Sequence, residues 1–146
     1  MSRRVIVEAD GGSRGNPGPA GCGAVVRDAD SGVLLAERSV ALGTTTNNVA
    51  EYEGLLAGLD AAVELDASQV RVRMDSKLVV EQMTGRWRIK HPALRELAEK
   101  ARERVQGFGA VSFEWIPRAS NSEADRLANE AMDQQVFPGT DPVDAT

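Results

Sequence analysis

The hydrophobic period of the chain first changes near Thr44, and that change bounds what it can fold into. Before it, Arg4–Asp10, Gly21–Arg27 and Val33–Leu42 are rich in Val, Ile, Leu and Ala and read as strands. The segment Gly11-Gly12-Ser13-Arg14-Gly15-Asn16-Pro17-Gly18-Pro19 between the first two is predicted to be a loop. Asp28-Ala29-Asp30-Ser31-Gly32 reads as a hairpin turn with Gly where a positive φ is needed. Links this short imply an antiparallel meander. After it, Thr44 to Asn48 offers several N-capping residues, and Tyr52, Leu55, Leu56, Leu59 and Val63 follow at helical spacing. A helix from about Asn48 to Leu65 is expected. Gln69–Asp75 then reads as a strand with Val70, Val72 and Met74 on one face, and Ser76–Met83 as a short helix closed by Gly85. Pro92 opens a helix that turns Leu94, Leu97, Ala98 and Ala101 inward and ends before Gly107. Ala110–Ile116 is a strand stopped by Pro117, and Asn121–Met132 is the last helix. The order β-β-β-α-β-α-α-β-α describes an α/β domain, a mixed sheet with helices on its faces.

A length of 146 residues suits one domain. It is placed at residues 1–134, with 135–146 as a disordered tail or the start of a linker, after which a further domain could follow. A single cysteine, Cys22, excludes a disulfide framework and a Cys-based zinc site. No apolar run approaches a membrane span, and the N-terminal apolar stretch is too short for a secretory signal. A cytoplasmic monomer without a membrane partner is expected. The 17 Lys and Arg against 22 Asp and Glu give a net charge of −5, which argues against nucleic-acid binding by bulk attraction. Positive charge, if used, must be local, or cations must neutralise acids at the contact. One stretch answers this: residues 86–104 hold seven Lys or Arg and three Glu. Arg86, Trp87 and Arg88 at its start suit a sugar-phosphate strand, although Trp87 could equally cap the core.

Asp10 ends the first predicted strand and Asp75 the fourth. If those strands are parallel neighbours, both carboxylates emerge at one edge of the sheet, and like charges held close call for a cation. Glu51 falls in the first turn of the long helix, and Asp125 in the first turn of the last, where either could simply complement the helix dipole. Gly54 and Gly58 share one side of the long helix. Interior glycines cost helix stability, so their presence implies a close backbone approach to the sheet that would bring Glu51 toward the strand ends. An acid cluster without Cys or His partners selects a hard cation such as Mg²⁺ or Mn²⁺, and a pair of such ions suits phosphodiester hydrolysis.

At these residues the sequence resembles type 1 ribonuclease H. Asp10-Gly11-Gly12 with Gly15-Asn16-Pro17-Gly18, then Thr46-Asn47-Asn48-Val49-Ala50-Glu51-Tyr52, Asp75-Ser76 and Asn121-Ser122-Glu123-Ala124-Asp125-Arg126-Leu127-Ala128 follow in family order. The resemblance implies a ribonuclease H-like fold, with a five-stranded mixed sheet of three antiparallel strands then two parallel and helices on both faces. It implies hydrolysis of the RNA strand of RNA–DNA hybrids with two Mg²⁺ ions, Mn²⁺ substituting, to give 5′-phosphate and 3′-hydroxyl ends. Asp10 would bridge both ions, Glu51 and Asp75 would complete the site nearer the leaving oxygen, and Asp125 would hold the ion serving the attacking water. Gly11, Gly12, Asn16, Thr46, Asn47, Asn48 and Asn121 would contact substrate, and one of Thr46 to Asn48 should also cap the helix; Lys77, where several members have an uncharged residue, could contact phosphate or simply stay in water, and Arg86, Trp87 and Arg88 are candidate contacts from their charge. Two departures mark a compact subgroup. The loop before the last acid has no His, leaving Arg118 to assist product release, and the long basic insertion is missing. The sole histidine, His91, reads as a surface residue. The alternative is a hybrid-binding module of the same fold that does not cut, against which four intact acids speak. The transposases, resolvases and ATP-using kinases that share the fold fit less well. The kinases are longer, and Gly11–Gly18 lacks a P-loop ending.

Overall fold

In a computed structural model that describes residues 3–136, three antiparallel strands come first: β1 (Arg3–Ser13), β2 (Gly18–Asp28) and β3 (Leu34–Thr45). Helix α1 (Asn47–Glu64), strand β4 (Ala67–Met74), helices α2 (Lys77–Met83) and α3 (Pro92–Gln106), strand β5 (Ala110–Trp115), a 3₁₀ turn (Arg118–Ser120) and helix α4 (Ser122–Val136) follow. The sheet order is β3-β2-β1-β4-β5, with β4 and β5 parallel to β1. The expected mixed sheet is therefore present.

Glycines show which helix covers which face. A Cβ on Gly58 of α1 would lie 2.4 Å from Val7 Cγ1, whereas one on Gly21 would lie 2.7 Å from the Ala131 methyl of α4. Successive strand residues point to opposite faces, so α1 packs on one side and α4 on the other. Helix α3 packs on the outer side of α1 with Leu94, Leu97, Ala98 and Ala101 buried, as the spacing required. Helix α1 is thereby enclosed on several sides, and Tyr52, Leu55, Leu56 and Leu59 are buried. Val63 is not: it is 51% exposed, and the buried positions at that end of the helix are Ala61 and Ala62.

The loop expected over 11–19 is shorter than its Gly and Pro content suggests. β1 runs on through Gly11, Gly12 and Ser13, paired to Cys22, Gly21 and Ala20 of β2. Glycine is admitted there because side chains are not: a Cβ on Gly11 would lie 2.0 Å from the Ala50 carbonyl oxygen. Gly32 has φ 76° in the hairpin turn and Gly85 φ 82° after α2, as expected. Helix α4 extends to Val136, so the domain boundary expected at 134 falls inside a helix. The rest of the expected tail, 137–146, lies outside the described residues. Among the described residues, no helix is long and apolar enough to cross a membrane.

Candidate active site

The parallel ladder of β1 and β4 ends at Ala9 opposite Met74; Asp10 is the next residue of β1, and Asp75 the first residue past the end of β4. Asp10 does not end its strand, because β1 goes on pairing with β2 as far as Ser13. It stands where β1 loses its partner on one side only, and the gap so left receives both carboxylates. Helix α1 closes the gap. A Cβ on Gly54 would lie 2.4 Å from the Asp10 carbonyl oxygen, so helix backbone rests on strand backbone there. Thr46 is the N-cap, accepting from Val49 N–H at 3.3 Å, and the first turn contains no acid. Glu51, the fifth residue of α1, therefore falls just past the first turn in which it was expected, where a dipole role fades. Asp125 lies in the first turn of α4.

The four acids line one cleft of about 300 Å³ together with Gly11, Gly12, Asn47 and Arg118. Among the described residues, no three of these side chains close into a ready-made metal cage. They are nonetheless crowded and dehydrated. The Asp10 carboxyl is pushed up to about 8, chiefly by burial and then by the Asp75 charge and its hydrogen bonding to Asp125. The Glu51 carboxyl is pushed up to about 7 by burial, against a lowering from the Ser76 hydroxyl. Arg118 Nη2 lies 3.4 Å from Asp125 Oδ1, with its side chain 78% exposed. A donor set of carboxylate oxygens with this much uncompensated charge fits a hard divalent cation.

The other expected contacts divide into three groups. Asn16, Thr46 and Asn48 gather in a second cavity of about 190 Å³ with His91 and Leu94. Asn16 also accepts from the Asn47 N–H at 3.1 Å, satisfying a donor that the start of α1 leaves free. His91 is more than the plain surface residue expected: its Nδ1 caps α3, accepting from Ala93 N–H at 3.2 Å. Trp87 and Arg88 form a third cavity of about 320 Å³ with Arg95 and Arg102. Trp87 is 44% exposed and so does not cap the core, while Arg86 pairs with Glu81 at 3.3 Å. Lys77 is exposed at the start of α2.

Asn121 requires a correction. Expected on the contact surface, it is 1% exposed, and its Nδ2 donates to the Ala9 carbonyl at 2.9 Å and to Asp75 Oδ1 at 2.7 Å. Its partners lie far away in sequence, so only the fold reveals that it is internal. The sequence also left unremarked Arg14, Asn129 and Met132, which line the acid cleft. For Asn129 a signal existed: it follows Asp125 by four residues on one helix, and donates to the Asp125 carbonyl at 2.9 Å.

The pattern of the family described as reverse transcriptase-like matches residues 8–131. A bifunctional protein of Mycobacterium tuberculosis is 61% identical over 89% of this chain and 36% of its own length. The chain thus spans about a third of the mycobacterial relatives it matches. A ribonuclease HI of Halobacterium salinarum is 46% identical over 89% of this chain and 65% of its own. Among solved structures, the N-terminal ribonuclease H domain of a Mycobacterium tuberculosis protein, fused to maltose-binding protein, superposes with a TM-score of 0.92. It is 58% identical, over 94% of this chain and 99% of that one. LC11-RNase H1 in complex with an RNA/DNA hybrid gives a TM-score of 0.84 at 42% identity, over 90% and 99%.

Proposed function

The chain belongs to the reverse transcriptase-like family and, within it, to the type 1 ribonucleases H, and from that membership we propose that it is an endonuclease hydrolysing the RNA strand of RNA–DNA hybrids. The observation that carries this reading is the single cleft holding Asp10, Glu51, Asp75 and Asp125 where the parallel ladder stops. These residues would hold two Mg²⁺ ions, with Mn²⁺ as a substitute: Asp10 shared, Glu51 and Asp75 on one side, Asp125 on the other. When bound, such ions lower the pKa of a water and stabilise the charge of a leaving oxygen, giving 5′-phosphate and 3′-hydroxyl products.

The protein's own groups bind and orient the hybrid. Gly11 and Gly12 bring main chain to the cleft wall, and Gly12, whose missing side chain faces Asn47 and Met132 of the cleft, leaves room there for a close approach of substrate backbone. Asn16, Thr46 and Asn48 present amides and a hydroxyl suited to sugar and phosphate oxygens. Arg86, Trp87, Arg88 and Lys77 supply local positive charge and a stacking face in a chain of net −5. Arg118, exposed beside Asp125, eases the departure of the cleaved phosphate end. A cytoplasmic, monomeric protein belongs to the same proposal, as does a further C-terminal domain, since the similar mycobacterial domain is the N-terminal part of its protein.

The test is cleavage of labelled hybrid, duplex RNA and duplex DNA side by side with Mg²⁺ and Mn²⁺. Cutting confined to the RNA of the hybrid, lost in Asp10→Asn with hybrid binding kept, is the expected result. Tight hybrid binding by the unaltered protein without any cutting would establish the binding-module reading instead.

A further inference from the structure

Two buried neutral side chains stand behind the acid cleft, each tied to one carboxylate. Ser76 is 5% exposed, and its Oγ lies 3.0 Å from Glu51 Oε1 and 3.2 Å from Val79 N–H. As the N-cap of α2 the hydroxyl accepts from Val79. Its one hydrogen is then free to be donated, and it is donated to Glu51. Asn121 is arranged likewise. The atom between the Ala9 carbonyl and Asp75 Oδ1 faces two acceptors, so it is the amide nitrogen, and both of its hydrogens are used. The other end, Asn121 Oδ1, is buried without a partner. The Asp75 main chain is held as well, by Trp115 Nε1 at 3.2 Å from its carbonyl oxygen.

We propose that Ser76 and Asn121 are positioning residues that leave Glu51 and Asp75 one free carboxylate oxygen each, and that this biases the cleft toward Mg²⁺ and against Ca²⁺. Mg²⁺ takes six ligands in a tight octahedron and accepts one oxygen from each carboxylate. Ca²⁺ is larger, takes six to eight oxygens, and gains from carboxylates that offer both. With Glu51 Oε1 and Asp75 Oδ1 each already accepting a hydrogen bond from the protein, two-oxygen binding is disfavoured from behind. The inference rests on the reading of the cleft as a divalent-ion site and deepens it by naming what selects the ion.

The experiment measures Mn²⁺ binding to the nucleic-acid-free protein from the electron paramagnetic resonance signal of the free ion, with Mg²⁺ and Ca²⁺ as competitors. Asn121→Ala and Ser76→Ala should each weaken Mg²⁺ by about tenfold or more, the usual effect of losing a group that orients a metal ligand. Ca²⁺ should weaken less or tighten, so the preference shifts toward Ca²⁺. Ser76→Thr keeps the hydroxyl and should restore the original preference. Thermal unfolding identifies any variant that does not fold, and the Ser76 pair then stands alone as the test. An unchanged preference in the folded Ala variants, or a Thr variant that behaves like Ala, overturns the inference and leaves the nuclease reading intact. No binding of Mn²⁺ by the unaltered protein, or equal binding after Asp10→Asn, overturns the divalent-ion reading itself.

Discussion

Replacing Asp10 by Asn should stabilise the metal-free protein while destroying its activity. In the folded chain the Asp10 carboxyl titrates at about 8, because it is buried and faces the Asp75 charge. In the unfolded chain it returns to the ordinary value near 4. The folded state therefore binds this proton more tightly, and its stability is full below pH 4 and declines as the pH rises to 8. At pH 7 the unfavourable charging amounts to at most about 4 kcal/mol. Crowded carboxylates spread and admit water as they charge, so about 2 kcal/mol should be realised, or roughly 5 °C in Tm for a domain of this size. Glu51, at about 7, adds a decline of the same sign over a narrower range. The assay is urea unfolding with a chelator present, at pH 5 and pH 8, for the unaltered protein and Asp10→Asn. The variant should gain little at pH 5 and more at pH 8. Mg²⁺ should narrow the difference at pH 8 by stabilising only the protein that retains its ligand. An Asp10→Asn protein that is equally stable or less stable at pH 8 refutes the claim that the cleft stores repulsion.

Two further outcomes follow from the same geometry. Gly54→Ala, which on an exposed helix would help, should instead destabilise by about 1–3 kcal/mol, because its Cβ would meet the Asp10 carbonyl at 2.4 Å. It should also reduce cleavage by moving Glu51, as read by urea unfolding and by the hybrid assay. Arg86→Ala with Arg88→Ala should weaken hybrid binding and flatten its dependence on salt by about one ion per lost phosphate contact, measured by titration at several ionic strengths.

The fold was legible because its signals are local. The period change at Thr44, the turn glycines and the inward stripe of α3 depend on neighbours in the chain, and all hold in the structure. Gly54 and Gly58 foretold the close approach of α1 to β1, since nothing else justifies glycine inside a helix. Other features depend on pairing that a sequence does not display. Gly11 to Ser13 looked like a loop, but β2 recruits them into the strand although β4 does not. Glu51 was placed in the first turn because several adjacent residues could cap, and only the structure selects Thr46. Val63 kept the helical spacing, yet no element covers it. The acids were recognisable from their order along the chain, whereas the burial of Asn121 was not. A short polar residue in a motif reads as a contact until its distant partners, Ala9 and Asp75, are seen.

The contact of α1 with β1 sets main chain against main chain, through Gly11 on the strand and Gly54 on the helix. Beside Asp10, the spacing of the helix that bears Glu51 from its strand is thus set by main-chain atoms rather than by side-chain volume. Substitutions among Leu55, Leu56 and Leu59 can loosen or repack the interior without retuning that gap. A designer could therefore vary Leu55, Leu56 and Leu59 and expect the catalytic spacing to persist, provided Gly11, Gly54 and the Gly58–Val7 contact are left alone.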